Sequence, residues 1–170
     1  MFGFSLLLYS ISVGLAADSI PSLYHVVHTG AVTGYAYSEN DKDVFARSHI
    51  YSIGIENIHL FYSPSSMQIL LSGDISLMGL NQGVYIPSGS LILGYQIYGV
   101  FVGLGPRVML PEITPDNTSM RTNIIIKSGY VFDMQGFSIP IQFGYVPDIE
   151  DREQWHLSVG FRKFLREEQK

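Results

Sequence analysis

From about residue 28 onward the sequence alternates, residue by residue, between apolar side chains and small or polar ones. Successive residues of a β-strand point to opposite faces, so this period-2 pattern describes strands with one apolar and one polar face. It recurs in eight segments, 28–38, 48–62, 67–77, 90–98, 99–110, 121–133, 137–146 and 154–164, separated by Gly, Pro, Asn and Asp clusters. Only 15% of the 170 residues are charged while 46% are hydrophobic. A soluble domain usually carries about 25% charge, so the chain is short of charge for a surface facing water. Beyond the amino terminus no apolar run is long enough for a transmembrane helix. The apolar surplus sits in short strands.

The length suits one domain. The formal charge of −5 offers no basic patch for nucleic acid. With no cysteine, a disulfide scaffold, a zinc finger and a thiol nucleophile are excluded. No cofactor or metal is expected: His25 and His28 form a His-x-x-His, but on a strand that spacing sends the rings to opposite faces. Residues 1–17 form an apolar stretch ending in Ala16-Ala17 and are expected to be a signal peptide, although a positive n-region is missing. Residues 18–170 are then a single barrel domain.

The connections alternate in length. Long polar links run from Glu39 to Arg47, Met78 to Gly89, Pro111 to Met120 and Pro147 to Glu153. Tight ones fall at Ser63-Pro64-Ser65-Ser66, near Tyr98-Gly99, and at Met134-Gln135-Gly136. Short periplasmic turns, longer external loops and an even strand number characterise outer-membrane barrels. The expected fold is an all-β, eight-stranded antiparallel up-and-down transmembrane β-barrel.

Two closed arrangements satisfy the alternation: a lipocalin-like barrel with its apolar face inside, or a membrane barrel with that face outside. Three features favour the second. The polar face is rich in Gly and Ser with isolated charges, which suits a narrow lumen better than a water-facing surface. Aromatics gather at strand ends, with Tyr51, Tyr145 and Trp155 towards the outer end and Tyr62, Phe132, Phe137 and Phe161 towards the inner end, as in interfacial girdles. Most remaining charges lie in loops or the carboxyl-terminal tail. The second segment changes phase, because Tyr51, Ile53 and Ile55 share one parity and Ile58, Leu60 and Tyr62 the other. A β-bulge near Glu56-Asn57 is expected to restore it; two short strands are the alternative.

The run from Ser138 to Tyr145, an acidic loop, and the run Trp155-His156-Leu157-Ser158-Val159-Gly160-Phe161-Arg162-Lys163-Phe164 resemble the closing hairpin of small bacterial outer-membrane barrels, the OmpA-like and OmpX-like group. The resemblance implies a location in the outer membrane, contact with its lipid and lipopolysaccharide, and a final strand recognised by the barrel-assembly machinery.

An eight-stranded barrel is just wide enough for side chains to fill it. Glu56, Asp74, Arg107, Lys127, Asp133 and Arg162 fall on its polar face and are expected to pair as an ion-pair network that plugs the lumen; a gated ion path is the alternative. His156-Leu157-Ser158 resembles the catalytic pair of the lipid A 3-O-deacylases, which are also eight-stranded barrels. In that family the pair faces lipid and an Asn follows the Ser. Here Val159 follows and the phase puts both in the lumen, so two small polar lumen residues are the expectation. Asn117-Thr118-Ser119 matches a glycosylation sequon of the kind that arises by chance. The external loops are acidic, with Glu39, Asp41, Asp43, Glu112, Asp116, Asp148, Glu150, Asp151 and Glu153, and read as a solvated rim or a surface for an external partner. The leading expectation is therefore a non-enzymatic outer-membrane barrel with a structural, adhesive or surface-interaction role. A lipid A or phospholipid-modifying enzyme and a soluble lipocalin-like binder are the alternatives.

Overall fold

The computed structural model describes residues 24–38, 45–62, 67–113, 118–147 and 153–169. They form eight strands: β1 Tyr24–Tyr37, β2 His49–Tyr62, β3 Met67–Met78, β4 Ile86–Ile97, β5 Val100–Ile113, β6 Thr118–Met134, β7 Phe137–Val146 and β8 Gln154–Gln169. Each strand pairs antiparallel with its sequence neighbours, and β1 pairs with β8 to close the barrel. Closure leaves no unpaired edge, which antiparallel sheets otherwise have to protect. Every strand meets or exceeds the roughly 9–11 tilted residues that cross a bilayer.

The alternation sorts as an inverted barrel. Ile53, Ile55, Ile75, Leu93, Leu104 and Leu157 are each more than half exposed on the outer wall. The lipocalin arrangement, which needs this face inside, is thereby overturned. Contiguous apolar patches beyond a few hundred Å² are rare on soluble monomers, and here the band encircles the molecule.

Two tight turns lie at one end. Tyr98-Gly99 links β4 to β5 with positive φ at both residues, 50° and 84°, the backbone of a two-residue turn whose twist matches its strands. Gln135-Gly136 links β6 to β7, with Gly136 at φ 88°. The expected turn at 63–66 lies outside the described residues, as do the signal peptide, Asn117 and the acidic residues Glu39, Asp41, Asp43, Asp116, Asp148, Glu150 and Asp151. At the other end, the β3–β4 connection holds a short 3-10 turn, Leu80–Gln82, flanked by Gly79 and Gly83 in left-handed conformation.

Strands β4, β5 and β6 extend beyond the alternating segments. The β5–β6 pairing shifts between Met109 and Glu112; Pro111 lies there, and with no N–H it cannot donate to a ladder. The β4–β5 ladder keeps one register but is interrupted between Ser90↔Arg107 and Leu93↔Leu104, where Pro106 lies. Beside that gap the backbones approach closely: a Cβ on Gly105 would stand 1.8 Å from the Leu91 carbonyl oxygen.

Strand β2 corrects the expected bulge. Its register with β1 and with β3 is continuous through Glu56 and Asn57. Ile58 and Leu60 are buried inside the barrel, while Ile53 and Ile55 face out. The phase never changes; the lumen itself becomes apolar towards the turn end. The side chain of Tyr62 lies outside the described part.

Candidate functional site: the barrel lumen and its two mouths

Three layers fill the loop-side and central lumen. In the outermost, Arg107 of β5 donates to Ser88 Oγ at 3.1 Å, Gln154 Oε1 at 3.0 Å and His156 Nε2 at 2.8 Å. A guanidinium only donates, so His156 accepts through Nε2 and that nitrogen is occupied. Buried Ile50, Met78, Ile86, Met109 and Phe45 belong to one apolar cluster at this end of the barrel.

Below it, Lys127 Nζ meets Asp74 Oδ2 at 2.5 Å, and Ser90 Oγ donates to the same carboxylate oxygen. Asp74 faces Glu56 directly across β2 and β3. Glu56 takes Arg162 Nε at 2.5 Å and Nη2 at 3.2 Å, while Gln142 Nε2 donates at 2.9 Å. Glu56 and Arg162 are 3% exposed. Asp74 and Lys127, and Glu56 and Arg162, thus pair with opposite charge, and each carboxylate accepts a further hydrogen bond, the condition under which burying charge is tolerated.

Towards the turn end the lining becomes apolar: Ile58, Leu70, Ile92, Phe101, Ile125 and Val131 form one buried cluster. Beyond it lies a cavity of about 400 Å³, walled by Val26, Ile58, Leu60, Val131, Phe137 and Phe164 and edged by His28, Gln68, Gln96, Asp133, Ser138 and Arg162. Asp133, expected within the network, stands exposed at this mouth. The other five members sit in the three layers above.

The aromatics form two outer bands. On the loop side Tyr145 and Trp155 rings lie 4.3 Å apart and Phe143 is tilted against Trp155 at 5.4 Å; Tyr51 packs edge-on to Tyr35 at 5.5 Å. On the turn side Phe137 stacks on Phe161 at 5.1 Å and Phe132 packs edge-on to Tyr130 at 4.7 Å. Sequence reasoning missed one group there: His25 Nε2 and His59 Nδ1 are 2.9 Å apart, with Phe61 stacked 4.5 Å from His25. Only the β1–β2 register, which pairs His25 with Phe61, brings them together. His28 lies apart, edge-on to Phe164 in the turn-side mouth.

His156 and Ser158 both line the loop-side lumen. Neither reaches the lipid-facing wall where a lipid substrate would lie. On the loop-side rim, the side chains of Asn81 and Gln82 bracket the start of β2 and the segment before it: Gln82 accepts from the Arg47 amide at 3.0 Å and donates to the Arg47 carbonyl at 2.9 Å, and Asn81 accepts from the Tyr51 amide at 2.9 Å. Tyr35 Oη bonds His49 Nδ1 beside them.

No protein-family model matches the sequence, and no curated protein matches it. Solved structures do match. The attachment invasion locus protein Ail of Yersinia pestis, in complex with the heparin analogue sucrose octasulfate, superposes with a TM-score of 0.51 at 12% identity, covering 84% of this chain and 99% of that one. Neisserial surface protein A superposes with a TM-score of 0.50 at 13% identity, covering 84% and 97%. The fold of this chain is that of the small bacterial outer-membrane β-barrels.

Proposed function

We propose that the chain is an outer-membrane barrel with a structural or adhesive role exerted by its external rim, and that its lumen is a plug. The supporting observation is the pairing of an exposed apolar wall with a lumen crossed by the Arg107 layer, the Asp74–Lys127 pair and the Glu56–Arg162 pair. The short turns face the periplasm and the bracketed rim faces outward, with lipopolysaccharide and phospholipid against the apolar band. Insertion falls to the barrel-assembly machinery. A static plug leaves the rim and loops as the surface where a partner can be met, in keeping with the habit of rigid scaffolds to present function on loops. The neighbour from Yersinia pestis binds a sulfated glycan analogue; the loops here are predominantly acidic, so repulsion disfavours sulfated ligands and favours a basic or neutral partner.

A lipid-modifying role lacks support in the His156–Ser158 pair, because Arg107 occupies the Nε2 that a catalytic base would use. Fractionation and gel mobility test the barrel: an outer-membrane band migrating faster when unheated is expected, and a soluble protein without heat modifiability would overturn it. Planar-bilayer recording tests the plug. The expected trace is silent, and steady large conductance would show that the layers do not seal.

A further inference from the structure

The cavity at the turn end is unlike the rest of the lumen because nothing among the described residues fills it. Its volume of about 400 Å³ falls in the roughly 300–1,000 Å³ range of small-molecule sites. Two polar atoms in its wall, Gln68 Oε1 and Ser138 Oγ, are buried without a hydrogen-bond partner among the described residues, and Ser138 is 2% exposed. Buried polar atoms are ordinarily satisfied, so the pair marks places where a ligand group fits. Of the three titratable lining groups, Arg162 is neutralised by Glu56, leaving Asp133 and His28. Gln68 Oε1 and the Asp133 carboxylate can only accept. The complementary ligand carries a donor-only, positively charged head and an apolar body.

We propose that this cavity binds small primary alkylammonium compounds, the alkyl chain lying between Leu60, Ile58 and Val131 and the ammonium group directed to Asp133, Gln68 and Ser138. That the cavity opens to the periplasm rests on the orientation proposed above; binding itself does not.

The test is a titration of hexylamine into isotopically labelled barrel in nanodiscs, where both mouths meet buffer, followed by amide chemical shifts. A failed titration and a reversed orientation are therefore told apart. Saturable shifts confined to residues around Gln68, Asp133 and Ser138 are expected, with hexanoate giving none. Leu60→Trp fills the cavity and abolishes saturation; if that variant does not fold, Leu60→Phe serves the same purpose with a smaller side chain. Asp133→Asn weakens hexylamine by about twofold to fivefold, the range of one exposed ion pair. The proposal fails if shifts rise linearly across lipid-facing residues, if hexanoate binds as well as hexylamine, or if a folded cavity-filling variant leaves saturation unchanged.

Discussion

The two halves of the lumen are built from the same strands yet solve opposite problems. On the loop side and at the centre, ionic and polar groups are stacked in layers in which Asp74 meets Lys127, Glu56 meets Arg162, and Arg107 donates to Ser88, Gln154 and His156. On the turn side the strands present Ile, Leu and Val to the interior and stop short of filling it. Polar layers are one way to fill an inverted barrel, and apolar side chains are another; both occur here in series. The cost of error differs accordingly, because a broken ion pair leaves a stranded charge whereas a trimmed apolar wall leaves only a larger void.

Mutations along the axis measure that difference. Glu56→Ala strands Arg162 and is expected to destabilise the barrel most, by about 3–5 kcal/mol, read from urea unfolding in lipid vesicles. Changing both partners, Glu56→Gln with Arg162→Met, should recover a large part of that loss. An equal loss in the double variant would mean that packing rather than charge holds the layer. In the neck, Ile92→Ala should cost roughly 2–5 kcal/mol, with the lower end expected beside an existing hollow. A cost exceeding that of Glu56→Ala would reverse the ranking of the two halves. At the mouth, Asp133→Asn should change stability by less than about 1 kcal/mol, since its carboxylate is exposed.

The outer wall supplies an internal control. Ile75→Arg places a charge against lipid and should cost about 2–4 kcal/mol if the site lies near the bilayer midplane. The same substitution would be nearly silent on a surface facing water.

Much of this architecture is legible in the alternation. Strands β3, β5, β6, β7 and β8 divide into faces as their sequences suggest, because one face is polar or small over most of its length, even though Leu70, Phe101, Ile125 and Val131 join it in the lumen. Strand β2 was misread for a physical reason. Polarity assigns Ile58 and Leu60 to lipid only if the lumen is polar at every height, and at the turn end it is not. Register decides such positions, and register depends on partner strands. The same limit explains β1, which begins four residues before the segment read from the sequence: His25 and Val27 share one face, and Val26 and His28 the other, so no contrast remains. Pro87 and Pro111 masked the extensions of β4 and β5, since proline ordinarily marks strand ends. Candidate lumen charges could be chosen by parity, but which carboxylate meets which cation depends on height and reach, and the outlying place of Asp133 followed only from the three-dimensional layout.

The bracket formed by Asn81 and Gln82 has an immunological consequence. Residues Arg47 and Gln82 are distant in sequence yet joined by two hydrogen bonds between the Gln82 side-chain amide and the Arg47 backbone, one in each direction. An antibody raised against the folded barrel can read them as one discontinuous epitope. Such an antibody would recognise intact cells and unheated protein, lose its target on boiling, and fail against peptides copied from either segment alone.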